Sequence, residues 1–180
     1  MIYYFFTFFL ILAGNFLEKF KAYFTFLFVY CLIFFCFGYM TGSDWRAYES
    51  IYNDKQFLNY TYFEPGFDYL YVFFQNLETP FFHFLILFKS ICFSVYWFAL
   101  RKYNPGNFSL LLSIFLSSFG LYYFIDNPLR NLIASTIIIF SLKYLISKDY
   151  LKYIFFVFIA FNFHTTSLFA LSLLFIHLDI

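Results

Sequence analysis

In a chain this apolar, each charged side chain that interrupts the sequence needs a physical reason. TGSDWRAYESIY places Asp44, Trp45 and Arg46 just after the uncharged run Ala22–Met40, and EPGFDYLY contributes Glu64. In DNPLRNLIAS, the pair Asn127-Pro128 is a helix-start signal, which sets Arg130 in the first turn of an apolar helix. A cation at that position opposes the helix dipole, which favours negative charge by about 0.3–1 kcal/mol, so a compensating anion is expected. One source is Asp126, four residues earlier, as a local pair. The other is a bound phosphate, held by the guanidinium fork and the free N–H groups of the helix start. The phosphate is favoured, because an apolar helix needs no arginine there for stability.

Two further ionisable groups lie inside apolar runs. His164, in FNFHTTS, is about 16 Å along a helix from Tyr153, which puts it near mid-membrane. There it either hydrogen-bonds a neighbouring helix or faces a wet cavity. Lys89, in LFKSI, is about 12 Å from Phe81 and is expected to snorkel outward or to meet a glutamate or phosphate.

The elements that must position these groups are membrane helices. The chain is 63% hydrophobic and 12% charged, whereas soluble domains carry roughly 25% charged residues. Uncharged or nearly uncharged stretches recur at Ile2–Leu17, Ala22–Met40, Phe81–Leu100, Phe108–Ile125, Leu129–Ile146 and Tyr153–Leu178. Each approaches or exceeds the ~20 residues needed to cross a bilayer. The fold expected is therefore an all-α polytopic integral membrane bundle, residues 1–180 forming one transmembrane domain with six spans. Lys- and Arg-rich connections at 18–21, 101–102 and 143–152 alternate with poorer ones, so by the positive-inside rule they are cytoplasmic. Both termini and the loop 41–79 are then expected outside. Net charge is +1, giving no basic patch for nucleic acid. Cys31, Cys36 and Cys92 sit in apolar runs without metal-ligand spacing, and no acidic motif forms a metal loop, so neither a disulfide framework nor a metal or other cofactor is expected.

The loop 41–79 is too long to be only a connector. Ser43 or Asp44 can cap a helix whose Trp45, Tyr48, Ile51 and Tyr52 recur at helical spacing. Pro65 suits the first turn of a second helix, with Glu64 beside its positive end. Two short interfacial helices are expected, their Trp and Tyr at headgroup depth. Solvated charges and a substrate-facing role are both compatible with this pattern.

The quoted motifs, together with LRNLIASTIIIFSLKYLISKDYLKYIFFVFIAFNFHTTSLFAL, resemble the EpsG family of bacterial exopolysaccharide proteins, regarded as Wzy-like polysaccharide polymerases. The resemblance implies polymerisation of polyprenyl-pyrophosphate-linked oligosaccharide repeat units, in exopolysaccharide, capsule or O-antigen synthesis, at the outer face of the cytoplasmic membrane. It implies the lipid bilayer and other polysaccharide assembly proteins as partners, and it carries Asp44, Glu64, Arg130 and His164 as motif positions. On that footing Arg130 holds the leaving pyrophosphate, with Lys89 second. Asp44, Glu64 and His164 are the candidate bases. Asp44 is favoured as base or sugar-orienting carboxylate, Glu64 as a sugar ligand and His164 as support, while Trp45, beside Arg46, can stack on a sugar ring. Family members usually continue with further spans, so a truncated member, inactive on its own, is one expectation. Other lipid-linked glycosyltransferases or acyltransferases, and a flippase, would use the same outer charges.

Overall fold

The computed structural model describes residues 2–17, 20–38, 44–54, 63–126 and 128–178, and every regular element among them is helical. Helices α1 (Ile2–Leu17) and α2 (Lys21–Cys36) have 16 residues each and join through the Thr7 and Tyr30 hydroxyls, 3.0 Å apart. α5 (Phe81–Tyr103) starts behind Pro80 and ends before Asn104-Pro105, with Arg101 and Lys102 in its last turn. α6 (Phe108–Phe115) continues through wide π turns at Leu116–Gly120 and Tyr122–Asp126, so the predicted span is helical to its end. α7 (Leu129–Ile146) begins behind Pro128. Asn127, the other half of that start signal, lies outside the described residues.

α5 and α7 are the two described helices long and apolar enough to cross a membrane, at about 34 and 27 Å. They lie side by side, the Tyr96 hydroxyl donating to Ser135 Oγ at 2.8 Å. The core around them is aromatic. Trp97 is buried against Phe24, Phe28, Phe93 and Phe108 with ring centroids 4.9–5.8 Å apart, and most pairs are tilted or edge-on, as ring quadrupoles prefer.

Two expectations change. The loop helices α3 (Trp45–Asn53) and α4 (Pro65–Asn76) exist, with Pro65 opening α4, but several of their tyrosines are core residues. Tyr48 and Tyr52 of α3 and Phe67 and Tyr71 of α4 are buried, and Tyr52 and Tyr71 pack on Phe84 of α5. The pair therefore lids the start of α5, because tyrosines at helical spacing bury their rings while their hydroxyls find backbone carbonyls.

The second change concerns Tyr153–Leu178, which is not one continuous span. α8 (Tyr150–Phe161) stops after 12 residues, and His164 is extended at φ −160°, ψ 125°. A 3₁₀ stretch, Thr165–Leu171, follows and leads into α9 (Ser172–Leu178). The Tyr153 hydroxyl donates to the Ala170 carbonyl at 2.7 Å, so the returning stretch runs back along α8. Asn162, His164, Thr165, Thr166 and Ser167 are side chains that compete for backbone hydrogen bonds, and Asn162 Nδ2 takes the Phe158 carbonyl at 2.7 Å. His164 therefore sits at the apex of a hairpin.

Candidate functional site

The apex of that hairpin, the start of α4 and the start of α7 meet around Glu64. Pro65 at the first helical position fixes the entry angle of α4, leaving Glu64 extended at φ −65°, ψ 145° in the N-cap position. The Gly66 N–H donates to the Asn162 carbonyl at 2.8 Å. A Cβ on Gly66 would stand 2.7 Å from that same carbonyl oxygen, so only glycine lets the two backbones approach this closely. The sequence EPG thus delivers the Glu64 carboxylate to the chain reversal that follows α8.

Glu64 makes three contacts there. Oε2 accepts from Arg130 Nη1 at 2.7 Å, Oε1 lies 3.2 Å from His164 Nδ1, and Oε1 also accepts the Thr165 N–H at 3.3 Å. Arg130 further donates from Nε to the Tyr48 hydroxyl at 3.4 Å, and its Cζ stands 4.7 Å from the centroid of the Phe63 ring. The groups are partly buried, with side-chain exposures of 13% for Glu64, 29% for Arg130 and 23% for His164. Burial raises the Glu64 carboxyl's pKa, but its own backbone N–H, the Arg130 guanidinium and the Thr165 N–H together outweigh that and hold it below the usual glutamate value. Burial pushes the Tyr48 phenol up, and the Arg130 guanidinium only partly offsets it.

The compensator that Arg130 requires is therefore Glu64, from a segment 66 residues away. This replaces Asp126 as the expected protein partner, and it leaves the arginine with N–H donors beyond the two it uses here. Asp44 takes the N-cap position of α3, but its backbone is in the helical region and its side chain makes no capping hydrogen bond. Ser43, the alternative cap, lies outside the described residues. Asp44 sits one turn before Tyr48 and acts on that hydroxyl through its charge. Arg46 is exposed, its guanidinium 5.4 Å from the Trp45 ring centroid.

Lys89 is directed elsewhere. It is fully buried, without snorkelling, and its Nζ donates to the Gly38 carbonyl at 3.5 Å just past the end of α2, where the helix dipole is negative. Tyr48, Phe63 and Thr165 are site residues that the sequence reading did not single out. The position of Tyr48, one turn after Asp44 on the buried face of α3, was the available signal.

One turn below Arg130 on the same stripe of α7, Ala134 borders a pocket of about 230 Å³, with Ser135 next to it. Asn131, Tyr96, Thr166 and Ser167 complete its polar side. Ser167 Oγ is buried there without a hydrogen-bond partner. The site thus combines a carboxylate-oriented imidazole, an arginine with spare donors and an adjoining pocket bearing hydroxyl and amide groups. Among the described residues no cluster of three or more His, Cys, Asp or Glu could hold a metal ion.

Comparison with known proteins gives one match. The sequence profile of the EpsG family aligns with residues 21–179. No curated protein and no solved structure matches the chain.

Proposed function

This chain belongs to the EpsG family, and on that premise we propose that it is a polysaccharide polymerase of the bacterial cytoplasmic membrane. Its substrates are oligosaccharide repeat units carried on polyprenyl pyrophosphate, joined at the outer face of the bilayer. In this reading the chain is multi-pass, with both termini and residues 41–79 outside. The hairpin 150–178 is re-entrant in this reading, in place of the sixth expected span.

The observation that carries the proposal is the Arg130–Glu64–His164 constellation. A hydroxyl oxygen of one repeat unit attacks the anomeric carbon of another. The bond from that carbon to the pyrophosphate oxygen breaks, and the polyprenyl pyrophosphate leaves with the electron pair. The hydroxyl proton passes to His164 Nε2. Glu64 against Nδ1 favours the tautomer that carries its proton on Nδ1, which leaves Nε2 free to accept. Glu64 thereby acts as a positioning residue, and the base role moves from Asp44 to His164, with Asp44 kept as a carboxylate that orients sugar near Tyr48. Arg130 gains most from the leaving group when its charge is greatest, which is the condition for catalysis by electrostatic stabilisation. The pocket beneath Arg130 receives a sugar ring, its hydroxyls meeting Asn131, Ser135 and Thr166.

The test is Arg130→Ala in a strain that depends on this gene. Long polymer is expected to vanish while lipid-linked single repeat units persist at normal protein level. Normal chain lengths would remove Arg130 from the mechanism. Incomplete repeat units would point to a transferase that builds the unit, and complete units confined to the inner leaflet to a flippase.

A further inference from the structure

At the end of the bundle opposite Arg130, α5 and α7 enclose a second and chemically different site. The two helices run in the same direction, since Tyr96 meets Ser135 and, further along, Lys102 and Lys143 border the same groove. That groove has a volume of about 340 Å³, and its floor is apolar, formed by Val95, Phe98, Ala99 and Ile139. Phe98 is 56% exposed although it lies along a helix long enough to span a bilayer. Lys102 and Lys143 stand at the mouth, each in the last turn of its helix, where the dipole favours a cation. Among the described residues no carboxylate lies within ion-pair distance of either lysine. Lys143 instead rests its Nζ 3.7 Å from the Phe140 ring centroid. On the other side of Phe98, Lys21 and Arg101 border a neighbouring groove, so this whole end of the molecule is cationic.

We propose that the α5–α7 groove seats one anionic phospholipid, its phosphate between Lys102 and Lys143 and one acyl chain along Phe98, Ala99 and Ile139. Three features point to that occupant. The floor belongs to the two helices fit to cross the membrane, so it faces acyl chains. The cations sit at the helix ends, at headgroup depth. Basic pockets between membrane helices hold phosphorylated headgroups, whereas a free phosphate has no use for an apolar floor. This inference is independent of the polymerase reading.

The experiment is native mass spectrometry of the full chain in detergent, titrated with dimyristoyl phosphatidylglycerol, dimyristoyl phosphatidylcholine or soluble glycerol phosphate. The glycerol lipid is expected to bind more tightly than the choline lipid. Each lysine contributes roughly fivefold, so Lys102→Gln/Lys143→Gln loses about thirtyfold. Lys102→Arg/Lys143→Arg keeps the preference, as does Lys148→Gln, which lies outside the groove. Ala99→Phe, which fills the floor and leaves both charges, weakens the lipid. An undiminished preference in the double glutamine variant overturns the proposal. So does equal competition by glycerol phosphate, which would assign a free phosphate, or unchanged lipid binding in Ala99→Phe. If the double variant fails to fold, Lys102→Gln alone gives the same reading, with roughly fivefold loss expected and none overturning it.

Discussion

Glu64→Gln keeps the side chain's shape and one carbonyl acceptor while removing its charge, so it isolates what the carboxylate does for Arg130. Breaking a fully buried ion pair costs about 3–5 kcal/mol, and an exposed pair contributes about 0–1 kcal/mol. With exposures of 13% and 29%, the Glu64–Arg130 pair lies between these limits, and a cost of about 2 kcal/mol is expected after discounting for solvent screening. A double-mutant cycle with Arg130→Gln should return a coupling of about 1–2 kcal/mol, measured by denaturant titration of the purified chain in mixed micelles. Additivity within about 0.5 kcal/mol would refute the claim that the two side chains stabilise each other. The pH dependence supplies the sign. The Glu64 pKa is lowered by folding, so its contribution is present above the unfolded value, near pH 4.3, and is lost as pH falls through the folded value. The stability gap between wild type and Glu64→Gln should therefore be flat at neutral pH and close on acidification below about pH 4. A gap that widened there would mean that the carboxyl is held neutral.

Three other outcomes follow from the same geometry. Gly66→Ala should cost about 1–3 kcal/mol and loosen α4 from α8, because the added methyl meets a backbone carbonyl that cannot rotate away; the same micelle titration reads it. Arg130→Lys should restore only part of the polymer lost in Arg130→Ala, since lysine lacks the planar fork that can hold Glu64 and a phosphate together; gel profiles of the polysaccharide decide it. Lys89→Met should leave polymer length unchanged and stability equal or higher, as an apolar side chain of similar volume removes a buried charge; loss of polymer would return Lys89 to the substrate site.

Helix content, the start of α7 and the two helices α3 and α4 were legible because they rest on local rules: apolar length, Pro128 and Pro65 at helix starts, and tyrosines at helical spacing. Arg130 was legible as a cation in need of an anion. Its partner was not, since Glu64 is 66 residues away and no local spacing marks the pair. The break at His164 was missed for a different reason. Hydropathy integrates over a whole window, and the flanking phenylalanines and leucines mask a polar cluster too short to lower the average. Asn162, Thr165 and Thr166 recur at i, i+3 and i+4, but His164 falls on the opposite side of such a helix, so no single face could gather the four. The consequence, that the helix would give way, depends on partners supplied from α4.

Those partners explain why the break and the site occupy the same place. Ending a helix away from water exposes carbonyl and N–H groups that apolar surroundings cannot satisfy, at a cost of several kcal/mol for each. Two of the groups freed at this break are the Asn162 carbonyl and the Thr165 N–H, and the EPG segment takes both, through the Gly66 N–H and the Glu64 carboxylate. Glu64 therefore caps the returning 3₁₀ stretch with one oxygen and pairs with Arg130 through the other. The partly buried carboxylate is tolerable because folding supplies each of its oxygens with a donor. A variant that kept the cap while losing the charge, as Glu64→Gln does with Thr165, should preserve the hairpin and lose the orientation of Arg130 and His164. Protection of the Thr165 and Gly66 amides from hydrogen exchange in that variant would separate the two roles, and their loss together with activity would show that the site cannot be uncoupled from the fold.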